Sequence, residues 1–350
     1  MNGEATTVII CTHRVGRWPW LVRAVESVEQ QTVPASRIVV VVDGDAALGE
    51  LAARELSDRC LVVERPECGG LSAARNSGLE VVQTPLVAFL DDDAEAEPTW
   101  LAELSTLMVD DSVLGVGGCS VPEWDGSVPP WFPEELFWVL GCTYRGLPTR
   151  VAEIRNVFGG CAIYRADLFT ATGGFNELLG RKALGLDGCE ETELCLRAKA
   201  HFPSGKFLFA PAAVIHHHVP ADRVRLSYVL RRSYGEGRSK AVLAKLVSSA
   251  GKLRPEVRYL RSTITRCIAG NLVRAVSEGL DPLRSAGIVV LSICAAALGY
   301  ASASVEYRDR EALAGRSALG IRPSESGTLP APPASRPGAG TAPRVSVTPK

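Results

Sequence analysis

The sequence predicts an α/β protein: an open, mostly parallel sheet of Rossmann type with helices on both faces, followed by a helical extension and a disordered tail. Two patterns in the first hundred residues carry this prediction. Short, wholly apolar runs of strand length alternate with segments whose apolar residues recur at helical spacing. The connections between them are short, which implies right-handed crossovers and a sheet covered on both sides.

Val8-Ile9-Ile10 is the first buried strand. Leu21, Ala24, Val25 and Val28 then fall on one helical face, with Pro19 suited to the first turn. Ile38 to Val42 is a second strand, Leu48 to Leu56 a short helical stretch and Leu61 to Val63 a third strand. Leu71 to Val82 reads as a second long helix, favoured by Ala73 and Ala74. Leu86 to Leu90 is a fourth strand, running directly into Asp91-Asp92-Asp93. Residues 95–220 hold four of the six Trp and many Gly and Pro, and read as a mixture of short elements. Within them Glu190 to His201 looks helical, and Phe207-Leu208-Phe209 and Ala213-Val214-Ile215 read as two short strands.

The composition changes after residue 222. Between 223 and 284 fourteen Lys or Arg stand against four Asp or Glu, which suggests an anionic partner for this part. Residues 285–305 carry no charge and are long enough to cross a bilayer, lie on it, or pack on protein. The last thirty residues hold seven Pro and no aromatic residue, the composition of a disordered segment. The expected division is 1–222, a sheet-bearing domain; 223–316, a basic and apolar helical region; and 317–350, a Pro/Ala/Ser-rich tail.

A chain of 350 residues with 46% hydrophobic residues can bury a substantial core, and its net charge of −1 excludes a wholesale nucleic-acid binder. The ten cysteines form no CxxC pair, so neither a zinc site nor a disulfide framework is expected. They read as reduced, structural thiols of a reducing compartment. The first residues lack the pattern of a signal peptide, which gives a cytoplasmic expectation.

Ligands of an open α/β sheet bind outside the carboxyl ends of its strands, so the residues just after each strand matter most. Three adjacent aspartates there repel one another unless they are solvated or hold a divalent cation, and hard oxygen donors suit Mg2+ or Mn2+. His216-His217-His218 follows an apolar run. Adjacent residues of an extended segment point to opposite faces, so at most two of these imidazoles can meet one metal. Glu190 and Glu191 start a helix, where acidic residues suit the positive helix end and where a carboxylate is also well placed as a general base. The loop THRVGRWPW after the first strand is not Gly-rich and lacks GxGxxG, against both a sugar nucleotidyltransferase and a dinucleotide oxidoreductase.

The segments VIICTHR, VVVDGD, GGLSAARNSGL, VAFLDDD, FGGCAIYRADLFTATGGFNE, CEETELCLRAKA and IHHHVP occur in this order. Over residues 6–225 they resemble the family 2 glycosyltransferases, inverting enzymes of the GT-A fold that use nucleotide-sugar donors. The resemblance implies transfer of a sugar from a nucleoside-diphosphate sugar, with UDP favoured, to an acceptor hydroxyl, assisted by Mg2+ or Mn2+. It implies that Asp43 contacts the nucleoside base, that Thr12 and Arg14 border the nucleotide, and that Arg75 meets the base or diphosphate. Asp91 and Asp93 match the outer members of the DxD motif, as ligands to the metal, and Asp91 and Asp92 belong to the nucleotide-sugar site. Gly159 and Gly160 match a pair lining the sugar pocket, and His217 or His218 the histidine that reaches the metal or diphosphate. The base falls on Glu191, with Glu190 as its rival, because the family usually shows Glu-Asp where this chain has Glu-Glu; the extra methylene moves the carboxylate by about 1.5 Å. Together with the basic stretch and the uncharged run, this suggests a saccharide or lipid-linked acceptor and an anionic membrane at whose cytoplasmic face the enzyme works. A catalytically inactive nucleotide-sugar or glycan-binding protein and a sugar nucleotidyltransferase are the competing readings.

Overall fold

The computed structural model describes residues 4–180, 188–246, 254–318 and 344–346. Four strands, β1 (Thr6–Thr12), β2 (Arg37–Asp43), β3 (Leu61–Arg65) and β4 (Leu86–Asp91), pair in parallel in the order β3-β2-β1-β4. Helices α1 (Trp18–Glu29), α2 (Ala46–Leu56) and α3 (Leu71–Leu79) connect them. Strand alternation divides the core in two. Val8, Ile10, Val40, Val42, Ala88 and Leu90 face α1 and α2, while Ile9, Val39, Val41, Val87 and Phe89 face the side of α3. Burial on both faces is why these strands read as unbroken apolar runs.

The sheet then changes character. It continues through β5 (Ala94–Ala96), α4 (Trp100–Thr106), β6 (Val113–Trp124), α5 (Phe137–Leu140), β7 (Ala152–Ile154), β8 (Cys161–Arg165), α6 (Ala166–Thr172), α7 (Glu190–His201) and β9 (Lys206–Val219). Strand β8 is antiparallel to both β4 and β6, β9 is parallel to β6, and β5 and β7 are antiparallel to β9. Trp100 is fully buried against the first core, and α6 and α7 cover the second.

Two expectations are corrected here. The segments 207–209 and 213–215 are not separate strands but parts of β9, whose register against β6 shifts between Gly117 and Cys119. Pro211 lies in that irregularity, where a residue without an N–H costs no ladder bond. The strand also runs on through all three histidines. The helix expected to reach Val82 ends at Leu79.

The C-terminal region is helical: α8 (Leu226–Leu246), α9 (Arg254–Tyr259), a π-helical turn at Leu260–Ile264, α10 (Thr265–Glu278) and α11 (Leu280–Ala318). A third apolar cluster joins Phe132, Leu136, Val139 and Val219 to Val229, Ile264, Ile288 and Val289 of these helices. Helix α11 docks on α8 through Ser233–Ser292 (2.7 Å) and Arg238–Glu306 (2.9 Å), and on α10 through Asn271–Ser285 (3.2 Å). Leu280–Glu306 is long and apolar enough to cross a membrane by length and composition, and 28% of its most apolar window is buried. Its outward face carries Val290, Leu291, Leu298 and Val305.

All ten cysteines are free. Burial pushes the thiols of Cys11, Cys161 and Cys195 up to about 12, which makes them poor nucleophiles. Of the tail expected to be disordered, residues 319–343 and 347–350 lie outside the described residues. Arg344–Ser346 forms a short strand, β10, antiparallel to β3.

Candidate active site

Strand β4 ends in the three aspartates, and β9 passes beside them. Asp91, Asp93 and His217 each offer a ligand atom, and those atoms lie within 4.8 Å of one another. His217 Nδ1 stands 3.4 Å from Asp93 Oδ1, with the ring almost fully buried. Strand alternation turns the neighbouring imidazoles away. His216 meets Glu97 at 3.1 Å, and His218 stacks on Trp20 with ring centroids 3.7 Å apart. His218 therefore does not join the acidic group. Burial lowers its pKa, in keeping with a neutral ring on an indole.

Two arginines that the motifs did not single out complete this cluster. Arg17 pairs with Asp92 and stands 3.1 Å from Asp93 Oδ2. Arg223 reaches Asp93 Oδ2 at 3.2 Å and donates to His217 Nε2 at 3.0 Å. Burial pushes the Asp92 carboxyl up to about 6, with Asp93 adding to the rise and Arg17 opposing it. Arg17 lies in the loop after β1, and Arg223 opens the basic stretch; neither position by itself marks a buried carboxylate partner.

The second group surrounds Arg75, which is 3% exposed. Its guanidinium donates to Glu191 Oε1 at 3.0 Å and stands 3.3 Å from Glu190 Oε1. It lies over the rings of Phe175 (5.1 Å) and Phe89 (5.7 Å). Burial alone would lower its pKa, but Glu191, Glu190 and Asp91 raise it, so it stays charged. The expected nucleotide partner is thus a clamp on the two candidate bases. Of these, the Glu191 side chain is 18% exposed and Glu190 4%.

Helix α7 delivers both glutamates through a sharp turn. Its N-cap, Cys189, is the one non-glycine residue at positive φ (74°) among the described residues. Helix α8 holds that turn: Gly188 N donates to Ser239 Oγ at 3.0 Å, and Cys189 Sγ lies 3.6 Å from Glu236 Oε1. Glu236 pairs in turn with Arg232 (3.1 Å) and Lys240 (3.3 Å). Although burial raises its pKa, Lys240 and Arg232 bring it down to about 2. Lys240 also meets Glu256 (2.8 Å), which Arg155 grips with two hydrogen bonds of 2.7 and 2.8 Å.

Gly159 and Gly160 bring the two groups together. A Cβ on Gly159 would overlap Glu191 Oε1 and stand 2.6 Å from Arg75 Nη2, and one on Gly160 would overlap the Asp91 carboxylate. Consecutive residues of one turn therefore touch the candidate base and a candidate metal ligand. From backbone dimensions those two carboxylates lie within roughly 10 Å of each other.

The remaining expected residues lie at and after the ends of β1 and β2. Thr12 is buried at the end of β1, and Arg14 is exposed in the loop that follows. Asp43, at the end of β2, already has protein donors on both oxygens: Arg65 Nε (2.9 Å), Gly69 N (3.0 Å) and Gly70 N (2.8 Å). It organises the loop entering α3. A cleft of about 1840 Å³ runs from Asp91, Glu190 and Glu191 to the C-terminal helices.

The sequence model described as Glycosyl transferase family 2 matches residues 7–173. A glucosyl-dolichyl phosphate glucuronosyltransferase of Haloferax volcanii is 31% identical over 247 residues, covering 70% of this chain and 79% of that protein. Succinoglycan biosynthesis protein ExoM of Rhizobium meliloti is 29% identical over 241 residues, 66% of this chain and 72% of the relative. Among solved structures, mannosyltransferase PcManGT from Pyrobaculum calidifontis, in complex with GDP-Man and Mn2+, superposes with a TM-score of 0.55 at 16% identity and covers 87% of each chain. GalNAc-T7 with UDP, GalNAc and Mn2+ gives a TM-score of 0.50 at 16% identity over 77% of this chain and 58% of the other. These two likenesses bear on the fold, which is of the GT-A kind.

Proposed function

The chain belongs to glycosyl transferase family 2, and from that premise we propose that it moves a sugar from a nucleoside-diphosphate sugar to a hydroxyl of a lipid-linked saccharide, with inversion. The observation that carries this reading is the shared glycine turn. Its two residues touch Glu191 and Asp91 in turn, which brings the candidate base within about 10 Å of a candidate metal ligand.

Asp91, Asp93 and His217 are the residues that would hold a divalent cation, and the nitrogen donor among two carboxylates suits Mn2+ at least as well as Mg2+. When bound, such an ion offsets the charge that grows on the departing diphosphate. Glu191 takes the proton from the acceptor hydroxyl. Its Oε1 is fixed by Arg75, and its partial exposure lets an acceptor reach it. Attack from the Glu191 side, opposite the diphosphate, inverts the anomeric carbon in a single displacement. Arg75 orients the base, and Phe89 and Phe175 hold Arg75.

The relative that acts on a dolichyl phosphate-linked sugar supports a lipid-linked acceptor, as does the outward apolar face of α11. Work at an anionic membrane surface, on its cytoplasmic side, fits the same features. The two solved structures that share the fold hold UDP and GDP-Man, so both nucleotide classes belong in the donor panel.

The test is transfer by the purified chain from a panel of UDP- and GDP-sugars, with Mn2+ and a polyprenyl phosphate-linked sugar, the product's anomeric configuration being read by NMR. Inversion is expected. Glu191→Gln should lower the rate by about 10³-fold, in the range general bases contribute. Retention of configuration, or full activity in both Glu191→Gln and Glu190→Gln, would sink the reading.

A further inference from the structure

Helix α11 is docked along one side and bare along the other. At about 100° per residue, Ser285, Ile288, Val289, Ser292, Gly299 and Ala303 fall on one side of its circumference, and all are buried. Leu283, Val290, Leu291, Cys294, Leu298 and Val305 share an arc of about 100° on the other side, and all are exposed. No charged residue lies between Arg284 and Glu306, so the bare strip is apolar over roughly 33 Å.

The docked side meets α8. Gly237 and Gly299 let the two backbones touch: a Cβ on Gly237 would overlap Ala296 O, and one on Gly299 would overlap Tyr234 O. Ser233–Ser292 and Arg238–Glu306 extend this seam. Along it α8 carries Arg231, Arg232, Glu236, Arg238 and Lys240. Were α11 to cross a bilayer in this docked state, those five charged side chains would go to membrane depth beside it, where each is costly. The docked helix can instead lie along a surface, its apolar strip inserted at the boundary of headgroups and acyl chains. Its other side borders the cleft through Ser285, Ser292, Ile293, Ala296 and Tyr300, so a single helix has the cleft on one side and the bare strip on the other.

Charge selects the occupant of the strip. Residues 223–284, which supply the helices that hold α11, carry fourteen Lys or Arg against four Asp or Glu. A second copy docked through the strip would bring two such regions together, whereas an anionic lipid surface attracts them. We propose that α11 lies in the plane of an anionic lipid surface, embeds its strip from 283 to 305 there, and does not cross. This deepens the membrane reading above and rests on it for the use of the cleft by a lipid-linked acceptor; the lipid contact itself is measured with no sugar present.

The full chain is spin-labelled at one position at a time: Leu283→Cys, Cys294 itself or Val305→Cys. Cys68, the other exposed cysteine among the described residues, is replaced by Ser, as is Cys294 where it is not the labelled site. Power-saturation electron paramagnetic resonance reads each label's depth on phosphatidylglycerol vesicles. All three should sit at one shallow depth, about 5–10 Å below the headgroups. Binding to phosphatidylcholine vesicles should be at least about tenfold weaker. Val290→Glu/Leu298→Glu should weaken flotation on phosphatidylglycerol by at least about tenfold, whereas Val109→Glu, exposed away from the strip, should not. A Cys294 label about 15 Å deeper than the other two would show a crossing helix and overturn the proposal. So would labels that stay in water on vesicles, equal binding to the two lipids, or a dimer in sedimentation that Val290→Glu/Leu298→Glu dissociates, which would give the strip to a second copy. UDP and GDP binding with Mn2+, measured in parallel, reads the donor site separately. Its absence would count against the enzymatic reading and leave the depths to judge the helix.

Discussion

Gly159→Ala isolates the placement of the base from every other part of the site. The added methyl group would overlap Glu191 Oε1 and come within 2.6 and 2.7 Å of Arg75 Nη2 and Nη1. Ordinary contacts lie near 3.5 Å, so something must yield by about 1 Å. Arg75 has little freedom: it is 3% exposed, lies over two aromatic rings and also meets Glu190. Glu191, the more exposed partner, is the group that moves. Overpacking of this size costs about 1–3 kcal/mol of stability. A 1 Å misplacement of a reacting group costs about 100-fold in rate. The assays are initial-rate kinetics, calorimetry of nucleoside diphosphate binding with Mn2+, and thermal melting. We expect a folded protein, kcat reduced by about 100-fold, and diphosphate affinity close to that of the wild type. Gly160→Ala should give the opposite division, because its methyl group meets Asp91 instead: diphosphate affinity falls with the rate. Gly159→Ala with an unchanged kcat and melting point would refute the reasoning, since the clamp would then be able to absorb the methyl group without consequence.

Other expectations separate neighbouring residues in the same way. His217→Ala, which removes a proposed ligand, should weaken Mn2+ binding, read by electron paramagnetic resonance, by at least the roughly 10- to 100-fold lost on altering a site's supporting groups. His218→Ala should leave Mn2+ affinity unchanged and cost about 0.5–1.5 kcal/mol through loss of its stack on Trp20. Glu236, facing Arg232 and Lys240 from its own helix and Cys189 from the turn before α7, has a folded pKa of about 2, below its ordinary 4.5. A lowered carboxyl pKa stabilises the fold above the unfolded value and loses that contribution as pH falls through the folded one. The stability difference between wild type and Glu236→Gln, about 3 kcal/mol by linkage, should therefore be constant above about pH 5 and shrink toward about pH 2. Urea melts across this range check it.

The parallel half of the fold was legible because its strands are buried on both faces, so Val8–Ile10 and Val39–Val42 leave unbroken apolar runs. The other half was not. Strand β9 carries Pro211, an irregular register and three histidines, and its continuity is set by pairing with β6, about a hundred residues away, rather than by local pattern. At the site, strand alternation already limited how many histidines could reach one metal, and the pairing of β9 sets His217 beside Asp91 and Asp93. The aspartates announced themselves because a buried strand leads into them. Arg17 and Arg223 did not, since an arginine in a loop or a basic stretch looks the same whether it faces solvent or a buried carboxylate. For the same reason Arg75 was legible as a residue of interest but not as a clamp on Glu190 and Glu191, partners more than a hundred positions distant.

The central claim is that a nucleoside diphosphate docks through a divalent cation held at the end of β4. Calorimetric titration of UDP and GDP with and without Mn2+, in the wild type and in Asp93→Asn, tests it most directly. The account predicts that at least one of the two nucleotides binds the wild type in a Mn2+-dependent manner and that Asp93→Asn abolishes this dependence. Binding of equal strength with and without the metal, or a Mn2+ dependence untouched by Asp93→Asn, would contradict it.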